Sequence, residues 1–333
     1  MPTIVITGAA GYIGSHATKL MLERGHRVIA IDDLSHGWRQ ALEELNRFGD
    51  LIFFEGDIRD TAFLKSVFSD YTIEAVMHFA AACDPNESVE DPMKYYDQNV
   101  MGTLSLLEAM KHANIEKLIF SSTCAIYGEA GKLPVTEDSP VNPANPYAES
   151  KLLAEQAIRQ YAHSSGIKAV IFRYFNVCGA SDDSTLGDSK KPSNLLVQNC
   201  VRGALGLDAF AYTCPKVNTP DGTPIRDYID VRDIASAHLA ALSYLGTAEG
   251  VELFNLGTGK GTSVREIVSQ VEQVLGALIE KNQSKPRRGE FGAIYADAEK
   301  AKRLLGWQAE KSLSDSIRAL AAWYTKRPKG FGY

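Results

Sequence analysis

Three glycines spaced three residues apart, directly after an apolar run, constrain this chain more than any other feature. Gly8, Gly11 and Gly14 separate the β-branched stretch at residues 3–7 from a helical pattern that follows. In this context the glycines permit a tight turn, let a pyrophosphate approach backbone N–H groups and let the helix pack on the strand. The N terminus of the helix adds partial positive charge. The segment therefore predicts a dinucleotide site near the start of the chain.

Short apolar runs alternate with helical patterns through the first half of the chain. The runs are nearly continuously apolar, which is typical of strands covered on both faces in a parallel sheet. Repetition of strand, helix and strand implies right-handed crossovers. The predicted fold is α/β, a Rossmann-type doubly wound parallel sheet with a smaller α/β C-terminal substrate-binding domain. The predicted strands are 3–7, 27–32, 51–55, 75–79, 117–122 and 168–173, and the predicted helices are 13–24, 61–68, 93–113 and 147–164.

A chain of 333 residues is long for one compact domain and suits two. The rhythm of strands and helices weakens after Asn176, where a polar stretch at residues 179–192 predicts a loop. We expect a dinucleotide-binding domain at 1–176 and a substrate-binding domain at 177–333, with a return to the first domain around 226–256. The residues after Trp323 are expected to form a surface tail. Further predicted elements are helices at 195–205, 234–245, 263–275 and 300–305 and strands at 226–231 and 252–256.

The charge balance and the apolar segments limit the classes of partner. A formal net charge of -6 gives no basic footprint, which argues against nucleic acid and anionic membranes. No basic segment followed by an apolar stretch opens the sequence, and no window has the roughly 18 to 20 apolar residues of a membrane helix. We expect a cytoplasmic protein with a small-molecule partner. The five cysteines lack C-x-x-C or His-containing metal spacing, so we expect reduced thiols, mostly in the core, and no metal.

Two acidic residues end the second predicted strand. Asp32 and Asp33 lie about 20 residues beyond the glycines, where a carboxylate can accept hydrogen bonds from both hydroxyls of the adenosine ribose. The 2′-phosphate of NADP would be repelled by Asp32, and no arginine occupies the next few positions. The pattern favours NAD over NADP. The alternative interpretation is that the aspartate simply ends a strand.

A tyrosine and a lysine share one face at the start of a predicted helix. Tyr147 and Lys151 lie four residues apart, after Pro146 and after a strand that ends in hydroxyl residues including Ser121 and Thr123. A free tyrosine has a pKa of about 10 and is a poor base. We expect Lys151 and a bound nicotinamide cation to lower that pKa. Tyr147 could then take a proton from a substrate hydroxyl, which Thr123 would hydrogen-bond, while a hydride leaves the same carbon.

These segments together resemble the extended short-chain dehydrogenase/reductase superfamily and, within it, the UDP-glucose (UDP-galactose) 4-epimerase family. The resemblance covers nearly the whole chain, and the motifs occur in the order and spacing of that family. The motifs are TGAAGYIGSH at 7–16, DDLSHG at 32–37, YYDQNVMGT at 95–103, SSTCAIYG at 121–128, NPYAESK at 145–151, RYFN at 173–176, PDGTPIRDYI at 220–229 and NLGTG at 255–259.

The resemblance implies that tightly held NAD oxidises C4 of the sugar to a 4-keto intermediate. The sugar then turns about its link to the anchored UDP, and the hydride returns to the opposite face without net redox change. The implied catalytic residues are Tyr147, Lys151 and Thr123. Together with the glycine motif, the expected NAD contacts are Gly8, Gly11, Tyr12, Ile13, Gly14, Asp32, Asp33, Leu34, Ser35, His36, Gly37, Asp57, Ile58, Phe79, Ala80, Ala81, Asn99, Ser121, Tyr147, Lys151 and Phe175. The expected UDP-sugar contacts are Thr123, Tyr147, Asn176, Asn194, Leu195, Ala211, Tyr212, Arg226, Arg287 and Glu290.

Several positions depart from the family pattern. Cys83 stands where some members have a lysine, which leaves the tightness of NAD retention open. The uracil loop at 211–214 lacks the usual aromatic–glycine pair, and Glu290 replaces an aspartate. Ile294 occupies the position of the family's sugar-pocket gate, which leaves tolerance of N-acetylated sugars open.

The alternatives concern the substrate and the class of protein. UDP-arabinose/UDP-xylose and UDP-N-acetylhexosamine 4-epimerases carry similar motifs and stay open beside the UDP-hexose. Nucleotide-sugar 4,6-dehydratases need carboxylates directly after Thr123, where Cys124 and Ala125 stand instead. A catalytically silent NAD-binding sensor would have no need of a tuned phenol.

The resemblance also implies a homodimer. The predicted helices at 93–113 and 147–164 carry apolar residues beyond the needs of one face, and two such helices from each subunit could form a four-helix bundle. Packing of these helices on their own sheet is the alternative. The apolar residues in question are Leu104, Leu107, Leu152 and Ile158.

Overall fold

The computed structural model describes residues 2–190, 193–213, 217–284 and 291–332. The strands are β1 Thr3–Thr7, β2 Arg27–Asp32, β3 Leu51–Glu55, β4 Ile73–His78, β5 Lys117–Thr123, β6 Lys168–Tyr174, β7 Asn176–Cys178, β8 Ala211–Thr213, β9 Ile225–Asp230, β10 Val251–Leu256, β11 Gly261–Ser263, β12 Asn282–Ser284 and β13 Ala293–Ile294. The helices are α1 Tyr12–Glu23, α2 Arg39–Leu45, α3 Thr61–Ser69, α4 Pro85–Glu90, α5 Pro92–Tyr95, α6 Gly102–His112, α7 Pro146–Ser165, α8 Leu196–Ala204, α9 Val231–Tyr244, α10 Val264–Leu275, α11 Glu299–Leu305 and α12 Leu313–Lys326.

A seven-stranded sheet in the order β10-β6-β5-β4-β1-β2-β3 organises the first lobe, by which we mean this sheet and the helices on its two faces. All neighbouring pairs in this sheet are parallel. Because successive side chains point to opposite faces, Ile4 and Ile6 belong to one core cluster and Val5 to the other. The predicted doubly wound sheet is confirmed. The strand order reverses between β1 and β4, and a crevice forms there at the carboxyl ends.

The start of α7 is fixed by local sequence. Asn145 is the N-cap, and its side chain accepts a hydrogen bond of 2.9 Å from the N–H of Ala148. Pro146 occupies the first helical position, where its missing N–H costs nothing, and Gly166 ends the helix in the left-handed conformation. This capping places Tyr147 in the first turn, directly beside the end of β5.

The second lobe is built around a four-stranded sheet in which β9 pairs with β7, β11 and β13. Helices α8, α10 and α12 pack against each other over this sheet. Their apolar faces form a separate core cluster that includes Val197, Ile267, Ile317 and Trp323. Short strands of two or three residues at β7, β8, β11, β12 and β13 were not expected from the sequence, because such segments lack a measurable period.

The expected surface tail after Trp323 is wrong. Tyr324 is 1% exposed, and Phe331 packs against the core clusters of both lobes. Helix α12 runs through this region to Lys326 and carries both Trp323 and Tyr324 on its buried face. The segment therefore packs against both lobes through Tyr324 and Phe331, while Thr325, Lys326, Pro328 and Lys329 are exposed.

The chain returns to the first lobe late in the sequence. Strand β10 pairs with β6 as the outer strand of the large sheet, and α9 packs against α1. Within the described ranges, no helix combines the length and the apolar character that crossing a membrane requires. Cys178 and Cys200 are core residues as expected, whereas Cys83 is exposed and Cys124 is half-buried. Both of the latter face the cavity described next.

Candidate active site

A cavity of about 840 Å³ lies at the carboxyl ends of the first-lobe strands and extends to the second lobe. It brings together most of the residues expected from the sequence. From the expected NAD set, the lining residues are Gly8, Gly11, Tyr12, Ile13, Gly14, Asp32, Asp33, Ser35, His36, Gly37, Asp57, Ile58, Phe79, Ala80, Ala81, Ser121, Tyr147, Lys151 and Phe175. From the expected UDP-sugar set, the lining residues are Thr123, Tyr147, Asn176, Asn194, Leu195, Ala211, Tyr212 and Arg226.

Two residues of the expected NAD set do not line the cavity. Leu34 lies in the turn after β2 with a φ of 59°, and Asn99 is 2% exposed behind the wall. The Asn99 side chain donates to the carbonyl of Ala82 at 3.0 Å and accepts from its N–H at 2.8 Å. Asn99 therefore holds the segment after β4 in place. Arg287 and Glu290 lie outside the described residues.

The glycines of the loop carry no side chains, so the backbone around them packs closely beside the cavity. Gly8 has a φ of 71°, and a Cβ at this position would lie 2.6 Å from the N atom of Ala80. A Cβ on Gly14 would overlap the carbonyl of Gly8, so the helix can approach the strand only with glycine there. Helix α1 begins after Gly11, with no side-chain cap among the described residues. Its first N–H groups thus suit an anion.

The Asp32 carboxylate is fixed by the backbone around it. It accepts hydrogen bonds of 2.9 Å from the N–H of Ala10 and of 2.9 Å from the N–H of Leu34. Burial raises the pKa of Asp32, and these two hydrogen bonds oppose the rise. The carboxylate lies on the cavity wall beside the glycine loop, which suits an acceptor for ribose hydroxyls.

Tyr147, Thr123 and Lys151 meet where the two lobes face each other across the cavity. Burial raises the pKa of Tyr147, and a hydrogen bond with Thr123 opposes the rise. Lys151 is 3% exposed, and burial lowers its pKa to about 8. Its Nζ donates to the carbonyl of Ser121 at 2.8 Å. Lys151 is not among the groups that lower the Tyr147 pKa, which differs from our expectation. The Tyr147 phenol is therefore protonated unless further positive charge enters the site.

A buried ion pair lies behind Lys151, and the sequence did not predict it. Glu155 lies one turn after Lys151 on α7 and binds Arg173 through two contacts, of 2.7 and 3.0 Å. It also accepts from the hydroxyl of Ser122 at 2.5 Å. The charge of Glu155 raises the pKa of Lys151 against the effect of burial. The only signal in the sequence was the four-residue spacing from Lys151, which by itself does not predict burial.

The second-lobe side of the cavity presents a guanidinium. Arg226 on β9 donates to the carbonyls of Ile225 at 2.9 Å and Phe291 at 3.2 Å. Its guanidinium lies 4.4 Å from the centre of the Phe291 ring. These contacts hold the positive charge at the wall, where a planar fork of donors suits a pyrophosphate.

Several cavity-lining residues carried no sequence signal. Trp38, Ser189 and Phe331 line the cavity from three distant parts of the chain. None of them belongs to a motif, and contacts between residues so far apart have no period or spacing in the sequence.

Comparison with known proteins agrees with this geometry. Residues 4–257 match the model of the NAD dependent epimerase/dehydratase family. UDP-glucose 4-epimerase from Lactobacillus helveticus is 40% identical over 330 residues, covering 98% of each chain. A putative UDP-arabinose 4-epimerase from Arabidopsis thaliana is 38% identical over 340 residues, covering 98% of this chain and 77% of the plant protein.

Solved structures show the same relationship. The crystal structure of UDP-glucose 4-epimerase from Bifidobacterium longum in complex with NAD+ and UDP superimposes with a TM-score of 0.94. The two chains are 38% identical, and the match covers 99% of this chain and 100% of the other. The family match spans the large sheet, and the similarity to the L. helveticus and B. longum proteins extends over both lobes. This chain therefore belongs to the NAD dependent epimerase/dehydratase family.

Proposed function

We propose that this chain catalyses the NAD-dependent 4-epimerisation of a UDP-sugar and that UDP-glucose and UDP-galactose are its preferred pair. One observation carries the proposal: Tyr147, Thr123 and Lys151 lie together on the wall of a single cavity, between two binding regions. One region has the glycine loop and the Asp32 carboxylate, and the other has the Arg226 guanidinium. This arrangement can hold a dinucleotide and a nucleotide sugar on the two sides of one phenol.

The residues present fit NAD. Neighbouring backbone atoms occupy the space that a Cβ would fill at Gly8 and Gly14. The first N–H groups of α1 are available to a pyrophosphate. Asp32 would accept from the adenosine ribose, and Lys151 would lie near the nicotinamide half. When bound, NAD accepts a hydride from C4 of the sugar and returns it.

The chain's own residues handle the proton. The Oη of Tyr147 would accept the proton of the sugar 4-hydroxyl and return it after the sugar has turned. The hydroxyl of Thr123 would hold both the Tyr147 oxygen and the sugar oxygen in place. The Lys151 ammonium, kept charged by Glu155 nearby, would favour the phenolate of Tyr147 when the site is filled and water is excluded.

The UDP moiety would be held from the second lobe. Arg226 would donate to the pyrophosphate, and the amides of Asn176 and Asn194 would donate to its oxygens or to the sugar. We retain Leu195, Ala211, Tyr212, Arg287 and Glu290 as proposed UDP contacts on the family resemblance. Firm anchoring of UDP is what lets the sugar turn without leaving.

The identity of the sugar is open to a direct assay. The purified protein is incubated separately with UDP-galactose, UDP-N-acetylgalactosamine and UDP-arabinose, without added NAD, and the sugar nucleotides are separated. We expect conversion of UDP-galactose to UDP-glucose to be fastest. Faster conversion of UDP-arabinose would favour the activity named for the plant relative, which is the second candidate. If none of the three UDP-sugars is converted, the proposed function is overturned.

We further propose a homodimer in which α6 and α7 of two subunits meet. Leu104 on α6 is 41% exposed, and Met93 and Met101, in the segment that leads into α6, are 70% and 51% exposed. Leu107 and Ile158 are used by the first lobe's own core. An exposed apolar row of this kind suits a partner helix. Light scattering that gives the mass of one chain would contradict the dimer.

Two expectations from the sequence also stay proposals. The first is the division into an NAD-binding domain at 1–176 and a UDP-sugar-binding domain at 177–333, with the return around 226–256. The second is a cytoplasmic location. Limited proteolysis between the lobes and cell fractionation test them.

A further inference from the structure

The C-terminal segment, residues 327–332, connects the two lobes beside the proposed NAD site. It is anchored to the second lobe by two hydrogen bonds. The N–H of Phe331 donates to the hydroxyl of Ser189 at 3.2 Å, and Arg202 donates to the carbonyl of Pro328 at 3.0 Å. Ser189 and Phe331 both line the cavity, so the segment forms part of the cavity wall.

The same segment reaches the first lobe through a half-buried cation. Arg327 donates from Nη2 to the carboxylate of Glu44 on α2 at 2.6 Å, with both side chains only about a quarter exposed. The Arg327 guanidinium also lies over the rings of Trp323 and Phe331, at 5.4 and 5.0 Å from their centres. An ion pair shielded in this way is weakened by water less than a surface pair is.

Aromatic packing completes the connection. Phe331 lines the cavity and contacts the Trp323 ring edge-on, with 5.0 Å between ring centres. A Cβ on Gly332 would overlap the ring of Trp38, so the chain passes directly against that ring. Trp38 lines the cavity, and its backbone N–H donates to the carbonyl of Ala10 in the glycine loop at 3.1 Å. The segment thus braces the loop that would hold the pyrophosphate.

We propose that residues 327–332 are a clasp that retains NAD by holding the lobes together at the glycine loop. A dinucleotide bound at Gly11 and Asp32 would share its cavity with the wall formed by Trp38, Ser189 and Phe331, and separation of that wall would open the binding site. Each contact of the clasp opposes that separation. The clasp therefore controls the rate of NAD release and contributes little to the chemical step. This inference rests on NAD binding by the proposed epimerase.

Release of NAD from the full chain tests the clasp. The NAD-loaded protein is mixed with an excess of the fluorescent analogue etheno-NAD, and the exchange rate is measured. We expect at least tenfold faster exchange for Phe331→Ala and for a chain that ends at Arg327. Lys329→Ala, an exposed position in the same segment, is the matched control and should exchange like the wild type.

A second variant separates the clasp from a loss of folding. Glu44→Gln removes the ion pair with Arg327, together with an exposed pair to Arg47, and leaves every aromatic contact in place. We expect it to speed exchange severalfold without changing the affinity for UDP. Thermal unfolding of each variant is measured beside the exchange. Exchange at the wild-type rate in both Phe331→Ala and Glu44→Gln would overturn the clasp. A wild-type chain that binds no NAD would overturn the proposed function as well.

Discussion

The two halves of the cavity are built in different ways. On the NAD side, the binding groups are backbone N–H groups and a carboxylate that two of them fix, as at Asp32. On the UDP side, the groups are side chains on short strands and loops, such as Arg226, whose guanidinium is held by carbonyls. A backbone-built site depends on glycine and strand order, whereas a side-chain-built site depends on individual residues. Substitutions on the NAD side should therefore change the affinity for NAD alone, and substitutions on the UDP side should change the affinity for UDP alone.

Removal of the hydroxyl between the two halves should have the largest effect. Tyr147→Phe is expected to lower kcat by about 10³-fold, because the general base is lost while both binding regions stay intact. The affinities for NAD and UDP should change less than about threefold. Rapid-quench turnover and calorimetric titration with UDP measure the two quantities. Turnover close to the wild type would mean that another group takes the proton.

Substitution on the backbone-built side should affect NAD alone. Asp32→Asn is expected to weaken NAD binding by about 100-fold, because a charge-assisted acceptor for the ribose is lost, and to reduce discrimination against NADP. Equilibrium titration with both dinucleotides measures this. Glu43→Gln, at an exposed position on α2, is the control. A matching loss of UDP affinity in Asp32→Asn would contradict the independence of the two halves.

The buried lysine at the junction predicts a pH dependence. Burial lowers the pKa of Lys151 to about 8, so its ammonium is charged below that pH and neutral above it. With NAD bound and Tyr147 already ionised, the phenolate needs this charge, so kcat/KM falls as pH rises, by about tenfold between pH 7 and pH 9. Lys151→Arg should remove this basic limb, since a guanidinium stays charged, although its overall activity is lower. If kcat/KM of Lys151→Arg still falls at high pH, a group other than Lys151 causes the fall.

The smallest expected effect lies on the side-chain-built half. Arg226→Lys keeps the charge but loses the planar fork, and we expect KM for the UDP-sugar to rise about fivefold with kcat nearly unchanged. NAD exchange, measured with etheno-NAD, should stay at the wild-type rate. A fall in kcat equal to the rise in KM would mean that Arg226 acts on the reacting sugar as well as on the pyrophosphate.

The regular parts of the molecule were predictable because their signals are local. The apolar runs that became β1, β2 and β3 have the predicted bounds, and Asn145, Pro146 and Gly166 mark both ends of α7. The glycine loop from Gly8 to Gly14 was also predictable, because the steric limits that require glycine there act over a few residues.

The other parts of the molecule depend on contacts between residues that are far apart in the sequence. Phe331 meets Ser189 and lies near Trp38, and no local pattern links these positions. The polar stretch after β7 was predicted as a loop, but its burial was not. Ser181 and Thr185 are buried there because they bond each other and Asp183 within the loop, which replaces the water they would otherwise need.

The position of β10 has a consequence for synthesis of the protein. This strand closes the edge of the large sheet against β6, yet it lies at Val251–Leu256, far beyond Tyr174 at the end of β6. A ribosome adds roughly 5 to 20 residues per second, so β6 waits several seconds with one edge unpaired. During that interval the nascent chain exposes a strand edge that can pair with other chains. A truncated mRNA that ends near codon 176 would leave this edge of β6 permanently unpaired.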